Sequence, residues 1–200
     1  MNTKLMVICT AIAAVTAAAQ SPKPEGTQTL RNLQSAYNGE SNAQARYLAF
    51  ALQADKEGKG PVGSLFRAAA RAEEIHFTNH AVVIRSRGGV PDARIEKPVV
   101  LSTQKNLDGS ASKGEAYERD TMYPGFIKTA RAESNPAAVE TFECARKAEA
   151  QHFNLFAGAA KDPTMKQGGK RPYYVCKVSG YTAATADAAQ CTGSVYETIE

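Results

Sequence analysis

Two heptapeptides of the chain carry the same set of residues that can bind a metal ion. Residues 71–77 and 147–153 both contain a basic residue, alanine, glutamate, two variable positions, histidine and phenylalanine, in that order. Glu73 and His76, like Glu149 and His152, are three residues apart, so each pair lies on one helix face and can reach a single cation. The repetition predicts one metal site that two halves of the chain build together.

A lone glutamate precedes each of these pairs at a matching distance. A Gly-Glu dipeptide ending at Glu40 recurs 75 residues later at Glu115, and the two Glu-x-x-His pairs are 76 residues apart. Di-iron and di-manganese bundles take one glutamate from each of two helices and Glu-x-x-His from each of the other two. Solvated glutamates and ordinary core histidines are the alternative interpretation, and the matched duplication argues against it.

Four helices are predicted to position these residues, because apolar side chains recur at three- and four-residue steps. Thr27 or Thr29 is a candidate cap for the first helix, and Pro61 and Pro136 suit the first turns of later ones. The first, second and fourth helices are predicted at about residues 30–57, 61–87 and 137–160.

The third helix has two possible starting points. Thr103 can cap it early, or Ser112 can cap it later through a capping box with Glu115. We favour the early start because it lets Glu115 face inward, and we expect Pro124 to kink the helix. The connection before it is long enough to cross the bundle, since 14 extended residues reach about 46 Å and a 24-residue helix spans about 36 Å.

Composition sets the class of protein. A hydrophobic content of 43% and a charged content of 22% exclude a disordered chain. The net charge of +4, without a dense Lys/Arg run, argues against nucleic acid as a partner. The four predicted helices and the long connection before the third lead us to expect an all-α fold: a ferritin-like four-helix bundle over residues 27–160 with one long crossover connection, followed by a small β-rich knob at residues 171–200.

The amino-terminal residues 1–19 are predicted to be a signal peptide. A basic start at Lys4 precedes an apolar run over residues 5–18, and Ala17 to Ala19 supply small residues for cleavage. The run is short for a membrane span. An uncleaved anchor is the alternative, and we expect no stable membrane insertion after cleavage. Export, most simply to the periplasm, implies an oxidising compartment.

Two longer motifs resemble those of the rubrerythrins. Residues 39–47 resemble the first-helix motif G-E-x-x-A-x-x-R-Y, and residues 114–124 are similar to the third-helix motif, including an extra glutamate and M-Y-P. The similarity covers about residues 30–160 and, weakly, the tail. It implies a di-iron centre, with manganese as the alternative, that reduces hydrogen peroxide to water in oxidative stress defence. It also implies a homodimer.

The resemblance further implies a role for each site residue, and all seven ligand positions of the family are filled. Glu73 and Glu149 are implied to bridge the two metal ions, and Glu40, Glu115 and His152 to be terminal ligands. Glu118 is implied to bind one iron when it is oxidised and His76 to bind the same iron when it is reduced. Tyr47 and Tyr123 are implied to form hydrogen bonds around the site. The spacing of Glu115 and Glu118 independently puts both on one helix face. His80, one turn beyond His76, is interpreted as a non-ligand.

The tail departs from the family pattern of two C-x-x-C pairs that bind one iron. Serine stands in the last place of both pairs, at Ser179 and Ser194, and serine is a poor iron ligand. We therefore expect no rubredoxin-type iron and an external electron donor. The rubredoxin-like form of the tail implies that Cys176 and Cys191 lie close enough for a disulfide. Closing a loop of about 15 residues would stabilise the fold by roughly 3 kcal/mol.

Several alternatives remain open at this point. The disulfide can be structural or redox-active, and we favour a structural role because the two cysteines lack the C-x-x-C spacing. The same metal site can serve a ferroxidase or a dioxygen-reducing di-iron oxidase. It can also belong to a metal-binding or scavenging protein with little turnover.

Overall fold

The computed structural model of the chain describes residues 26–188 and 195–200. It is mainly helical, with a small antiparallel sheet at the carboxyl end, so the expected fold class is confirmed. The predicted signal peptide lies outside the described residues. Across the described residues, no helix is both long and apolar enough to span a membrane. The helices are α1 (Gln28–Lys56), α2 (Gly60–Ser86), α3 (Thr103–Gly109), α4 (Tyr123–Ala132) and α5 (Pro136–Lys161).

The helix ends follow the local signals in the sequence. Thr27 caps α1, its hydroxyl accepting a hydrogen bond from the Leu30 amide at 3.2 Å. Asn135 caps α5 in the same way, and a proline occupies the first turn of both α2 and α5. Gly58, with φ of +70°, allows the sharp turn between α1 and α2. The predicted bounds of these helices agree with the structure to within two residues.

The connection between α2 and α3 runs back along α1 and forms the predicted crossover. Side chains one turn apart on α1 hold its backbone, and at its far end the Thr103 amide donates to the Glu57 carboxylate at 3.1 Å. The third helix therefore starts near the carboxyl end of α1. The hydrogen bonds along the crossover join Gln34 to Val90, Asn38 to Arg94 and Asn42 to Glu96.

The third helix starts early, as expected, but its cap is Ser102 rather than Thr103. The later start at Ser112 is wrong, because α3 continues without a break into the π-helical segment Ser110–Glu115. A second π-helical segment, Glu118–Met122, leads into α4. The third helix of the bundle thus departs twice from the α-helical hydrogen-bonding period and returns to it each time.

These π-helical segments were not predicted, and Pro124 accounts for part of them. Proline lacks an N–H, so the regular ladder is interrupted at the start of α4. The amide of Tyr123 bonds to the carbonyl of Glu118, five residues back. A π-helical turn changes the angle between successive side chains and often occurs at functional sites. The first π-helical segment ends at Glu115, which the third helix presents to the interior of the bundle.

The apolar core consists of two clusters with the polar centre of the bundle between them. One cluster is built around Phe66 and Phe156, the other around Ile84 and Phe142. Along α1, Glu40 falls between the residues that the helix contributes to one cluster and those that it contributes to the other. Apolar packing on both sides therefore encloses the buried charges.

The tail folds into a three-stranded antiparallel sheet that packs against α2 and α5. Asn79 on α2 donates to the carbonyl of Val178 at 2.9 Å, and Gln151 on α5 accepts from the amide of Thr182 at 2.6 Å. The tail thus lies against the two helices that carry the Glu-x-x-His pairs. Its strands are β1 (Tyr173–Cys176), β2 (Thr182–Ala183) and β3 (Tyr196–Ile199), in the order β2-β1-β3.

The two cysteines among the described residues occupy different environments. Cys176 is buried in β1 and disulfide-bonded. Cys191 lies outside the described residues, so its pairing with Cys176 stays a prediction. Cys144 on α5 is a half-buried free thiol, and burial raises the pKa of that thiol.

Candidate metal centre

Six buried side chains from the helices meet in the middle of the bundle, and each is at most 1% exposed. Among the described residues, their possible ligand atoms form two groups in which all atoms lie within 4.8 Å of one another. The groups share Glu73 and Glu149, so a dinuclear site with two bridging carboxylates fits the arrangement. The groups are Glu40, Glu73, His76 and Glu149, and Glu73, Glu115, Glu149 and His152.

The histidine Nδ1 atoms point at several carboxylates at once. Nδ1 of His76 lies 2.8 Å from Glu73 Oε2, 3.0 Å from Glu149 Oε1 and 3.9 Å from Glu40 Oε1. Nδ1 of His152 lies 2.9 Å from Glu149 Oε2 and 3.5 Å from Glu73 Oε1. A single ring nitrogen carries at most one hydrogen and cannot satisfy three oxygens, whereas a cation between them can.

Unpartnered oxygens provide a direct test of whether metal ions fit. One buried oxygen from each of four glutamates has no hydrogen-bond partner, and these are Glu40 Oε2, Glu73 Oε1, Glu115 Oε2 and Glu149 Oε1. Buried carboxylates without partners are costly. Carboxylate oxygens and imidazole nitrogens together suit iron or manganese. The residues therefore fit a dinuclear metal centre.

The crowded carboxylates and histidines change each other's proton affinity in the metal-free protein. Burial, with the charges of neighbouring glutamates, raises the pKa of both Glu40 and Glu115 well above its ordinary value. Burial alone lowers the pKa of His152, but its hydrogen bond to Glu149 and the charges of Glu149 and Glu73 raise it to about 9. The metal-free site therefore holds protons that divalent cations would replace.

The tail supplies the hydrogen-bond partners on the far side of both imidazole rings. Nε2 of His76 lies 3.1 Å from the carbonyl oxygen of Ser179, and Nε2 of His152 lies 3.1 Å from Oγ1 of Thr182. The Thr182 hydroxyl donates its own hydrogen to the carbonyl of Gly180 at 3.0 Å. Both Nε2 atoms must therefore carry a hydrogen, so Nδ1 is the nitrogen of each ring that can bind a metal ion, once the ion has displaced any proton there.

Gly180 is required for this contact. Its φ is +75°, and a Cβ at this position would lie 2.4 Å from Nε2 of His76. Only glycine allows the backbone of the tail to approach the ring so closely. Sequence patterns did not reveal the roles of Gly180 and Thr182, because nothing local to the tail indicates that it lies against the histidines.

The two tyrosines lie next to the terminal glutamates. The hydroxyl of Tyr47 donates to Glu115 Oε1, and the hydroxyl of Tyr123 donates to Glu40 Oε1. Burial, with the charge of the glutamate that it contacts, raises the pKa of each phenol well above its ordinary value. Both tyrosines therefore stay protonated and remain hydrogen-bond donors.

Glu118 lies beside the site but outside both ligand groups. It is half-buried at the start of the second π-helical segment. Burial, followed by the charges of Glu149 and Glu73, raises the pKa of its carboxyl well above its ordinary value. In this structure His76 faces the other ligands. Glu118 is a further carboxylate, near enough for the charges of Glu149 and Glu73 to affect it.

His80 is completely buried and is not part of either ligand group. Its Nδ1 lies 2.9 Å from Thr141 Oγ1 and its Nε2 lies 3.1 Å from the hydroxyl of Tyr123. The sequence suggested no role for Thr141. The position of His80 four residues after His76, on the same helix face, was the available signal for its place near the site.

The fold and the site together define a ferritin-like bundle protein with a dinuclear carboxylate-histidine metal centre. Comparison with known proteins identifies the family. The chain belongs to the rubrerythrins, because the Rubrerythrin family model matches residues 31–160, more than half of its length. The family and its structures carry a di-iron centre, so the predicted cofactor of two iron ions is confirmed, and the buried carboxylate and histidine groups described above could bind it.

Individual relatives agree with this assignment. Nigerythrin of Nitratidesulfovibrio vulgaris is 35% identical over 164 residues, which cover 82% of this chain and 80% of the relative. Rubrerythrin-2 of Clostridium acetobutylicum is 35% identical over 164 residues, covering 80% of this chain and 87% of the relative. The relationship supports a di-iron oxidoreductase connected with oxidative stress.

Solved structures show the same architecture. The fully reduced, all-ferrous state of nigerythrin superposes with a TM-score of 0.72 at 33% identity, covering 84% of this chain and 80% of that one. A bacterioferritin from Desulfovibrio desulfuricans superposes with a TM-score of 0.67 at 18% identity, covering 76% of this chain and 94% of that one. The bacterioferritin likeness shows the shared fold only.

Proposed function

We propose that the protein is a peroxidase that reduces hydrogen peroxide to water with electrons from an external donor. The reaction cleaves the O–O bond and takes up two electrons and two protons, so that one peroxide gives two water molecules. The observation that carries this proposal is Glu118, an additional carboxylate beside a complete six-ligand site. When bound, two ferrous ions supply both electrons at one place.

Glu118 and His76 are the two residues that we propose to alternate at one metal position. His76 Nδ1 faces Glu40, Glu73 and Glu149 in the structure, as an imidazole ligand would. Glu118 belongs to the same helix as Glu115 and is placed on a π-helical turn. A carboxylate that replaces a neutral imidazole adds negative charge, which favours the more highly charged, oxidised metal.

The tyrosines hold protons where the reaction needs them. Each phenol is protonated and donates to a terminal glutamate, Tyr47 to Glu115 and Tyr123 to Glu40. Proton transfer from a positioned side chain typically contributes 10²- to 10⁴-fold to a rate. We therefore propose that both phenols relay protons to the departing oxygen atoms, each regaining a proton as it gives one up.

The proposed electron donor is a separate molecule, because half of the cysteines that would bind a rubredoxin-type iron are serines in this chain. Hydrogen peroxide and this donor are the proposed partners, and we propose a homodimer as the functional unit. The donor must deliver electrons one or two at a time to the oxidised metal centre. The tail, which packs against the two helices that carry the Glu-x-x-His pairs, is one surface through which it can act.

We propose that the protein works outside the cytoplasm, in the periplasm. The support is the sequence of residues 1–19, which has the basic, apolar and small-residue regions of a signal peptide. Amino-terminal sequencing of the protein from fractionated cells tests this. A mature chain that starts near Gln20 in the periplasmic fraction is expected, and a cytoplasmic full-length chain would contradict export.

Anaerobic stopped-flow mixing of the diferrous protein with oxidants tests the peroxidase proposal. Oxidation is expected to be fast with peroxide and slow with dioxygen at equal concentrations. Equal rates would overturn the proposal in favour of a ferroxidase or dioxygen-reducing oxidase. Slow oxidation by both would overturn it in favour of a metal-binding protein.

Substitution of Glu118 tests the carboxylate that carries the proposal. We expect E118Q to bind close to two irons per chain while peroxide turnover falls at least tenfold, because the six-ligand site remains. The matched control is D120N, since Asp120 is exposed on the same π-helical segment and pairs with Arg119. Unchanged turnover in E118Q would contradict the proposed alternation.

A further inference from the structure

The two halves of the site differ in one buried side chain. Seven residues after each bridging glutamate, α2 carries His80 and α5 carries Phe156. Each ring packs against one of the two tyrosines that donate to the terminal glutamates, and that tyrosine comes from the other half of the chain: the ring centroids of His80 and Tyr123 are 6.0 Å apart, and those of Phe156 and Tyr47 are 5.3 Å apart. The metal ligands repeat between the halves, but the residue behind the tyrosine does not.

The direction of each hydrogen bond around His80 follows from the hydrogens available. The single phenolic hydrogen of Tyr123 is donated to Glu40, so the contact of 3.1 Å between Tyr123 and His80 Nε2 needs the hydrogen on Nε2. Burial, with the charge of His76, lowers the pKa of His80 to about 3, so the ring is neutral and its Nδ1 accepts. The donor to Nδ1 is the hydroxyl of Thr141, at 2.9 Å.

These bonds form a one-way chain that runs from Thr141 through His80 and Tyr123 to Glu40. Each member donates to the next, and the last acceptor is a terminal metal ligand. In the other half, Glu115 accepts from Tyr47, whose ring packs against the apolar ring of Phe156. A hydrogen bond whose donor itself accepts another is strengthened by polarisation.

We propose that His80 is a positioning residue for Glu40 and makes the two metal positions unequal. It holds the Tyr123 hydroxyl so that its hydrogen points at Glu40, which belongs to the same ligand group as His76. At the metal position where His76 and Glu118 are proposed to alternate, the terminal carboxylate of Glu40 therefore stays fixed. This inference rests on the dinuclear site of the proposed function and not on the choice of peroxide as oxidant.

A simple space-filling role explains His80 less well. Both ring nitrogens bond to side chains, and the ring is 0% exposed between Tyr123 and Phe142. Burying an imidazole costs free energy unless its hydrogen bonds are satisfied. The other half shows that phenylalanine can occupy the equivalent position in this bundle, so the polar ring is not needed for packing.

Anaerobic titration of the metal-free mature protein with Co²⁺ tests the proposal without peroxide. We expect two binding steps, and in H80F we expect one step to weaken about tenfold while the other is unchanged, since loss of an outer hydrogen-bond partner costs 10- to 100-fold. H80Q, whose amide can donate to Tyr123, should restore most of the loss. F142L loosens the packing around His80 but keeps the hydrogen-bond chain from Thr141 to Glu40. Both Co²⁺-binding steps of F142L should therefore match those of the parent protein.

Imidazole ¹⁵N NMR of the metal-free protein supplies a second readout that a packing role would not move. His80 is expected as the neutral ring with its hydrogen on Nε2, and T141V should shift the Nδ1 resonance, because that nitrogen loses the hydroxyl that donates to it. This variant keeps His80 and serves if H80F fails to fold. Equal weakening of both Co²⁺ steps in H80F, unchanged steps, or a hydrogen on Nδ1 in the parent protein would each overturn the proposal. Failure of the peroxidase proposal would leave these Co²⁺ and NMR results unaltered.

Discussion

The bundle and the tail differ in the metal-binding side chains that they carry. In the bundle, all seven ligand positions of the rubrerythrin pattern are filled, and six of these side chains converge in two groups that share Glu73 and Glu149. In the tail, serine stands at two of the four cysteine positions, including Ser179. Yet the tail still contacts both ligand histidines, through the carbonyl of Ser179 and the hydroxyl of Thr182.

The difference shows that binding a metal and supporting a metal site depend on different atoms. Iron binding in a rubredoxin-like tail needs thiolate side chains, which Ser179 lacks. The contact with His76 uses a backbone carbonyl, which every residue has, and the absence of a side chain at Gly180. We therefore expect the serines to remove iron binding from the tail, while its hydrogen bond to His76 stays in place.

The largest expected effect is a loss of metal affinity when a ligand of the bundle is replaced, since the bundle binds the metal and the tail only supports the site. Glu149 belongs to both ligand groups, so E149Q should lower metal affinity by more than about 100-fold, beyond the range for outer partners. Iron content after anaerobic loading, measured by mass spectrometry, should fall from two ions per chain to below one. E140Q, an exposed position on the same helix, is the control. Full loading of E149Q would contradict the shared-ligand assignment.

The ionisable groups buried in the bundle should make the stability of the metal-free protein depend on pH. The pKa of His152 is raised from 6.5 to about 9 on folding. The folded protein therefore binds this proton more tightly than the unfolded chain, and the resulting stability is complete below pH 6.5 and is lost as the pH rises to about 9. The raised pKa values of Glu40 and Glu115 act in the same direction.

Urea unfolding between pH 6.5 and 9 in the presence of a chelator measures this loss. The free energy of unfolding should fall by on the order of 3 kcal/mol. The same series with metal bound is the control and should be flatter, because the cation replaces the proton on the site. A metal-free protein that is equally stable at both ends of this range would contradict the charge assignment.

The contact between tail and bundle is tested by adding one methyl group. In G180A the new Cβ would meet His76 Nε2 at 2.4 Å and would sit on a backbone with φ of +75°. G58A imposes nearly the same backbone strain, with φ of +70°, but its Cβ would meet no atom within 4 Å. We expect G180A to be less stable than G58A by about 2 kcal/mol, measured by denaturant unfolding. Equal stability of the two variants would show that the tail does not press against His76.

The smallest expected effect concerns the side-chain contact of the tail. T182V removes the acceptor for His152 Nε2, so metal affinity should fall about tenfold, the lower limit for an outer partner. Competition with a coloured chelator measures the affinity. T182S keeps the hydroxyl and should bind metal like the parent protein. If T182V also matches the parent, the tail contributes nothing to the His152 position.

The ligand positions could be predicted from the sequence because their signals are local. Glu73 and His76 are three residues apart on a helix, and the duplication at Glu149 and His152 made chance improbable. The cap at Thr27 was equally local, since a capping side chain contacts an amide three residues away. The π-helical segments around Glu115 were missed, because their hydrogen bonds depend on how the third helix packs as well as on Pro124.

The chain by itself determined the helices, the ligands and their order, because helical periodicity and residue type are properties of short segments. Only the tertiary structure decided how the ligands are supported. It placed the tail against both imidazole rings and joined Thr141, His80 and Tyr123 to Glu40. These contacts connect residues that are far apart in the sequence, and their geometry depends on how whole elements pack. Spacing along the chain carries no record of such contacts.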